Sequence, residues 1–135
     1  MRKALFLLAF SGMIAGAPAH AEKVDLDLHD YDDELMRTLE QTTKYFEPDI
    51  AGENVSGATE DAEILRDGFK YTESYFSKKG NYPDAVKWSQ QGQGFIAEAM
   101  KFVAEKNFDA GAEAARNAVK TCRACHEVYK PAKPR

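Results

Sequence analysis

The chain has 135 residues, 44% hydrophobic and 30% charged, with a formal net charge of −4 and only two cysteines. That length suits one small domain with a core of its own. The acidic balance argues against nucleic acid or an anionic membrane as a partner, and two cysteines cannot supply the second ligand pair of a structural zinc site.

Residues 1–21 read as a cleaved secretory signal. Arg2 and Lys3 form a positive start, Ala4 to Ala17 an apolar run, and Ala19-His20-Ala21 a cleavage site of small residues. The run is too short and too rich in small residues to span a bilayer well, so stable membrane insertion is not expected. Cleavage leaves residues 22–135 as a single domain. It lowers Lys+Arg from 18 to 16 against 22 Asp+Glu, for a formal charge of −6. The expected location is periplasmic, an oxidising space.

Four stretches then show helical periodicity and none shows a strand pattern. The first, about residues 29–47, places Met36, Leu39, Thr43 and Phe46 on one stripe. Asp30, Asp32, Asp33 and Glu34 in its opening turn suit the positive end of the helix dipole. Pro48 and Ala51-Gly52 are expected to close it. Residues 49–58 read as a polar connection crossing one end of the fold. The second helix, about 59–79, turns Ile64, Leu65, Gly68, Phe69, Thr72, Tyr75 and Phe76 inward, and Lys78-Lys79-Gly80 is a fitting stop.

Pro83 can open the third helix, whose stripe runs Trp88, Gly92, Phe95, Ala99, Phe102 and Val103 to about Lys106. Its mid-helix glycines each cost about 1 kcal/mol against alanine, so either a close packing partner such as a flat ring is expected there or the two are simply tolerated in a marginal helix. Asn107 makes the turn into the fourth helix, which runs to about Lys130 along a seam of Ala112, Ala115, Val119, Cys122, His126 and Tyr129.

That last helix holds the motif with chemistry in it. Cys122-Arg123-Ala124-Cys125-His126 reads Cys-x-x-Cys-His, the attachment signature of a c-type haem. Positions three and four apart share a helix face, so both thiols can reach the vinyl groups on one edge of a porphyrin. The adjacent His126 can then place an imidazole nitrogen on the iron. A thioredoxin-like pair needs a βαβ context that is missing here. A disulfide closing so short a loop would stabilise little. Export supplies the compartment in which haem is attached. His29 and His126 are the histidines left after cleavage and there is one motif, so a multi-haem protein is excluded.

Helices joined by short connections, with this motif near the C-terminus, resemble the class II c-type cytochromes, the cytochrome c prime family. The likeness covers about residues 25–130. It is carried by the Cys122 to Lys130 stretch, by Asp84-Ala85-Val86-Lys87-Trp88 and by the Lys106-Asn107-Phe108-Asp109 turn. It implies an all-α, antiparallel up-and-down four-helix bundle with one covalently bound haem c.

The resemblance also implies roles. Cys122 and Cys125 would form the thioethers and His126 would be the proximal iron ligand. Met36 falls at the distal position on the first helix, where a low-spin branch of the family carries methionine. Met100 and His29 are the other side chains able to complete the coordination. Where the family often carries an arginine beside a haem propionate this chain has Asp32, and Lys130 matches a basic position beside the proximal pocket. The expected function is a non-enzymatic, periplasmic one-electron carrier exchanging electrons with redox partner proteins. The alternative is a five-coordinate protein binding NO or CO at an open distal site. Family members often dimerise through the first two helices, so a homodimer is a further expectation.

Overall fold

A computed structural model of the chain describes residues 26–129. The signal segment 1–21, Lys130 and the basic tail lie outside them. Four α-helices account for nearly all of what is described: α1 (Asp33–Ala51), α2 (Val55–Lys79), α3 (Pro83–Ala104) and α4 (Phe108–Tyr129). No strand occurs among the described residues.

Each helix starts and stops for a local reason. The Asp32 carboxylate accepts from the Leu35 amide at 2.9 Å, capping α1, with Asp33 and Glu34 in the first turn. The first helix therefore begins at Asp33 rather than near residue 29, and Asp32 has a structural use of its own. Pro48 does not close α1. It sits in the last turn, and its carbonyl accepts from the Gly52 amide at 2.8 Å.

The expected polar connection over 49–58 shrinks to residues 52–54. Asn54 caps α2 by accepting from the Gly57 amide at 3.2 Å, so α2 starts four residues earlier than its periodicity indicated. Gly80, at φ 72, ends α2 in the left-handed region that suits glycine, as expected from the sequence. Pro83 opens α3, and Asn107 accepts from the Ala110 amide at the start of α4.

Helices adjacent in sequence pack together, and α4 closes the ring on α1, giving an up-and-down bundle. The ends pair accordingly: Tyr31, just before α1, bonds Thr72 late in α2, while Arg116 early in α4 donates to Glu47 late in α1 at 2.8 Å. The α1–α4 seam is the most sparsely packed of the four.

Two apolar clusters fill the bundle. The larger is centred on Phe46, Ile50 and Leu65, all fully buried. The smaller, around Phe76, Ala85 and Tyr129, occupies the end where α1 and α3 begin and α2 and α4 finish. On α3 the buried stripe is Ala85, Ser89, Gly92, Ile96, Ala99 and Val103. The expected aromatic line Trp88, Phe95 and Phe102 is only half-buried on its flank. Small residues let α3 approach its neighbours, and the large rings fill the edges. On α2, Ile64 likewise turns out exposed, and Ala58 and Ala62 take its place inside.

Candidate haem-attachment site

Cys122, Cys125 and His126 lie in the last turns of α4, all half-buried and on one face of the helix. His126 also sits where a cation is favoured by the C-terminal dipole. The two thiols are backed differently. Cys122 packs against the larger cluster, and its Sγ lies 3.9 Å from the Ala118 carbonyl. Cys125 packs against the smaller, aromatic cluster. Within that cluster the Tyr129 ring meets those of Tyr82 at 5.6 Å, Phe76 at 5.9 Å and Trp88 at 6.2 Å.

Burial pushes both thiols up to about 11, and in Cys125 the neighbouring Cys122 adds to the effect. Both cysteines are free and would remain thiols at neutral pH. That is a suitable state for addition of S–H across a vinyl group, and a poor one for adventitious oxidation.

Met36 is half-buried on α1. It stands on the same flank as Glu47, which faces α4 through Arg116. Carrying that antiparallel register an equal number of residues back along α1 and forward along α4 brings Met36 level with Glu127. Ile50 Cγ2 lies 3.1 Å from where a Gly111 side chain would start, a pairing that gives a register two residues shorter, level with Cys125. Either way Met36 comes level with His126. Leu35, its neighbour, is the side chain that packs into the larger cluster.

The other candidates separate clearly. Met100 packs into the larger cluster, and its neighbour Ala99 has its carbonyl 3.3 Å from where a Gly111 side chain would start. Gly111 is about 22 Å from His126 along α4 at a rise of 1.5 Å per residue. Met100 is therefore at the wrong end of the bundle. His29 is at the right end, but it is exposed and its Nδ1 lies 2.7 Å from the Asp27 carboxylate.

The sequence reading missed the segment before α1. Leu26 and Leu28 pack against the aromatic cluster that holds Cys125. Tyr31 is buried, and burial pushes its phenol up to about 12, with Cys125 among the smaller influences. An apolar residue just before an N-cap, as Tyr31 stands before Asp32, is the signature of a hydrophobic staple and was the available signal. Tyr82, between α2 and α3, was also missed. The aromatic side chains divide between the two ends: Phe46, Phe69 and Phe95 lie in one cluster, Tyr75, Trp88 and Tyr129 in the other.

The donor chemistry fits a covalently held haem. Among the described residues no three His, Cys, Asp or Glu side chains converge as a metal site built from protein alone would require. An iron already held by porphyrin nitrogens asks only for axial ligands. Two thiols at helical spacing, an adjacent imidazole and an apolar backing suit that demand. A cleft of about 290 Å³ lies beside the site between α3 and α4, lined by Trp88, Phe95, Thr121 and Ala124 among others, on the flank of α4 turned away from Met36. Among the described residues no helix is long and apolar enough to cross a membrane. Compared with protein families, curated proteins and solved structures, the chain matches none.

Proposed function

We propose that the chain is an exported carrier of one haem c, attached through Cys122 and Cys125, and that it moves single electrons between periplasmic redox proteins. His126 and Met36 would be the axial ligands. When bound, the haem supplies a reversible ferric–ferrous couple, and a thioether ligand favours its ferrous state. The protein's share is to hold and shield. Cys122 and Cys125 anchor the ring, His126 is fixed by a helix end, and the Tyr129 cluster keeps water from one side.

The observation that carries this reading is the antiparallel register of α1 and α4, which sets the turn that holds Met36 level with the Cys-x-x-Cys-His turn.

The test is the optical spectrum of the full-length protein produced together with a haem-attachment system. Haem should survive acid–acetone extraction. The ferric protein should be low-spin with a weak sulfur-ligation band near the red end, and the ferrous protein should be slow to bind CO. Met36→Leu should convert it to high-spin haem that takes up CO. The swap is nearly volume-conserving, so the packing cost should stay below about 1.5 kcal/mol. A wild type that is already high-spin and CO-binding would replace electron transfer with the gas-binding reading, and a chain with no covalent haem would sink both.

A further inference from the structure

Beyond the cysteine-bearing turn, the most organised set of reactive side chains is a tyrosine cluster where α1 begins and α2 ends. Tyr31 and Tyr75 meet edge to face with ring centres 4.9 Å apart, Tyr31 and Tyr71 at 5.4 Å, and Tyr71 stacks on Tyr75 at 6.4 Å. The hydroxyls differ in what receives their protons. Tyr31 Oη lies 2.7 Å from Thr72 Oγ1, and Thr72 donates its own proton to the Gly68 carbonyl at 2.9 Å. Tyr31 is thus the donor, to a hydroxyl that is no base. Tyr75 instead donates to Asp30 Oδ1 at 2.5 Å. Lys79 Nζ stands 3.3 Å from the same carboxylate oxygen and donates to Tyr75 Oη at 3.1 Å.

Removing one electron from a phenol turns its hydroxyl into a strong acid. The electron leaves readily only where a base takes the proton in the same event. Asp30 is such a base: the Tyr75 bond, and beyond it Lys79, hold its carboxyl below the ordinary carboxylate range, so it is ionised at neutral pH. Tyr31 has no such acceptor, and it joins the pair to the Cys125 end of the bundle. Tyr71, 38% exposed, joins the pair to the surface.

We propose that Tyr75 is a redox-active tyrosine, which gives one electron to a one-electron oxidant and passes its phenolic proton to Asp30. The products are a neutral tyrosyl radical and a protonated carboxyl; return of one electron and that proton restores the starting pair. The tyrosine–carboxylate chemistry stands on its own geometry. The oxidant is a strong one-electron oxidant that reaches the pair from solution past Tyr71, since a ferric–ferrous haem couple is too weak to oxidise a phenol and Tyr31 has no base to take its proton.

The experiment is photo-oxidation of the full-length protein by ruthenium(III) tris(bipyridine), generated with persulfate, followed by freeze-quench electron paramagnetic resonance. Wild type should give a tyrosyl signal that forms more slowly in D₂O. Tyr75→Phe should lose most of that signal and Tyr71→Phe should keep it. Asp30→Asn should lose most of the signal and its solvent isotope effect, and Asp30→Glu should restore both. Asp30 is exposed, so its variants should keep wild-type helicity by circular dichroism. A signal undiminished in Tyr75→Phe, or a yield and isotope effect unchanged in Asp30→Asn, would overturn the proposal. A haem-free chain that gives the Asp30-dependent signal would refute the carrier reading alone. A haem-loaded chain whose Tyr75 stays reduced would refute this one alone.

Discussion

Gly92 and Gly94 stand two positions apart on α3 and should respond oppositely to alanine. A side chain started at Gly92 would lie 2.5 Å from the Phe69 ring, whereas nothing lies within 4 Å of the same point on Gly94. Overpacking costs about 1–3 kcal/mol, against a helix-propensity gain of about 1 kcal/mol. Thermal melts should therefore show Gly92→Ala neutral to destabilised, by up to about 2 kcal/mol. Gly94→Ala should be stabilised by up to about 1 kcal/mol. The sequence left open whether a mid-helix glycine meets a close partner and could not name the ring, because Phe69 arrives from another helix. The cysteine motif could be read for the opposite reason: the covalent attachment proposed for it depends on local spacing and needs no tertiary information. The two cysteines also yield a prediction. Before haem is attached, burial places both thiols at about 11, so iodoacetamide should alkylate them slowly at pH 8 and faster as the pH approaches that value. After attachment neither should react at any pH. Rapid labelling of the haem-free protein at pH 8 would mean that the turn opens far more than its packing implies.

Between elements, the connections carried less information than the helices. The α1–α2 junction was misread because Gly52, Asn54 and Gly57 all look like loop residues. In the structure Asn54 is a cap, and Gly57 is already helical, where a side chain would collide with Asp49 Oδ2. That crowded corner has an electrostatic consequence. Asp61, on the facing turn of α2, has a buried Oδ2 without a hydrogen-bond partner among the described residues, and partial burial, then Asp49 and Glu60, raise its pKa. A carboxyl raised on folding opposes stability at any pH above its folded value. That penalty fades as pH falls through the folded value toward the unfolded one, about 3.9. Asp61→Asn should therefore stabilise at neutral pH, by no more than about 0.5 kcal/mol because the group is mostly solvated. The gain should vanish in acid. Urea melts of both proteins at pH 7 and pH 3 check this, and an equal gain at both pH values would mean that charge is not the cause.

For the whole molecule, the two apolar clusters divide the bundle into ends with different duties. The larger, holding Phe46, Ile50 and Leu65, touches the last turns of α4 only through Cys122, and the rest of that helix through Phe108 and small residues such as Ala115 and Ala118. The smaller holds Cys125, Tyr129 and the segment from Leu26 to Tyr31, tied down by the Tyr31–Thr72 and Asp30–Tyr75 bonds. Stability should be distributed accordingly, since local opening follows local burial rather than the average of the fold. Consider Cys122→Ser with Cys125→Ser, which removes both anchors for a covalent ring. The larger cluster loses nothing but one flanking sulfur and should keep its helices paired. The smaller end is built mostly of half-buried residues around a buried core of Phe76, Ala85 and Tyr129. It should loosen. Amide hydrogen exchange should stay slow from Leu39 to Ile50 and from Ala58 to Phe69. It should quicken sharply from Tyr31 to Met36 and from Thr121 to Tyr129, with part of the circular dichroism lost. Uniform slow exchange would show that the bundle needs no cofactor at either end. Uniform fast exchange would make the ring the centre of the entire fold, a role that the packing around Phe46, Ile50 and Leu65 argues against.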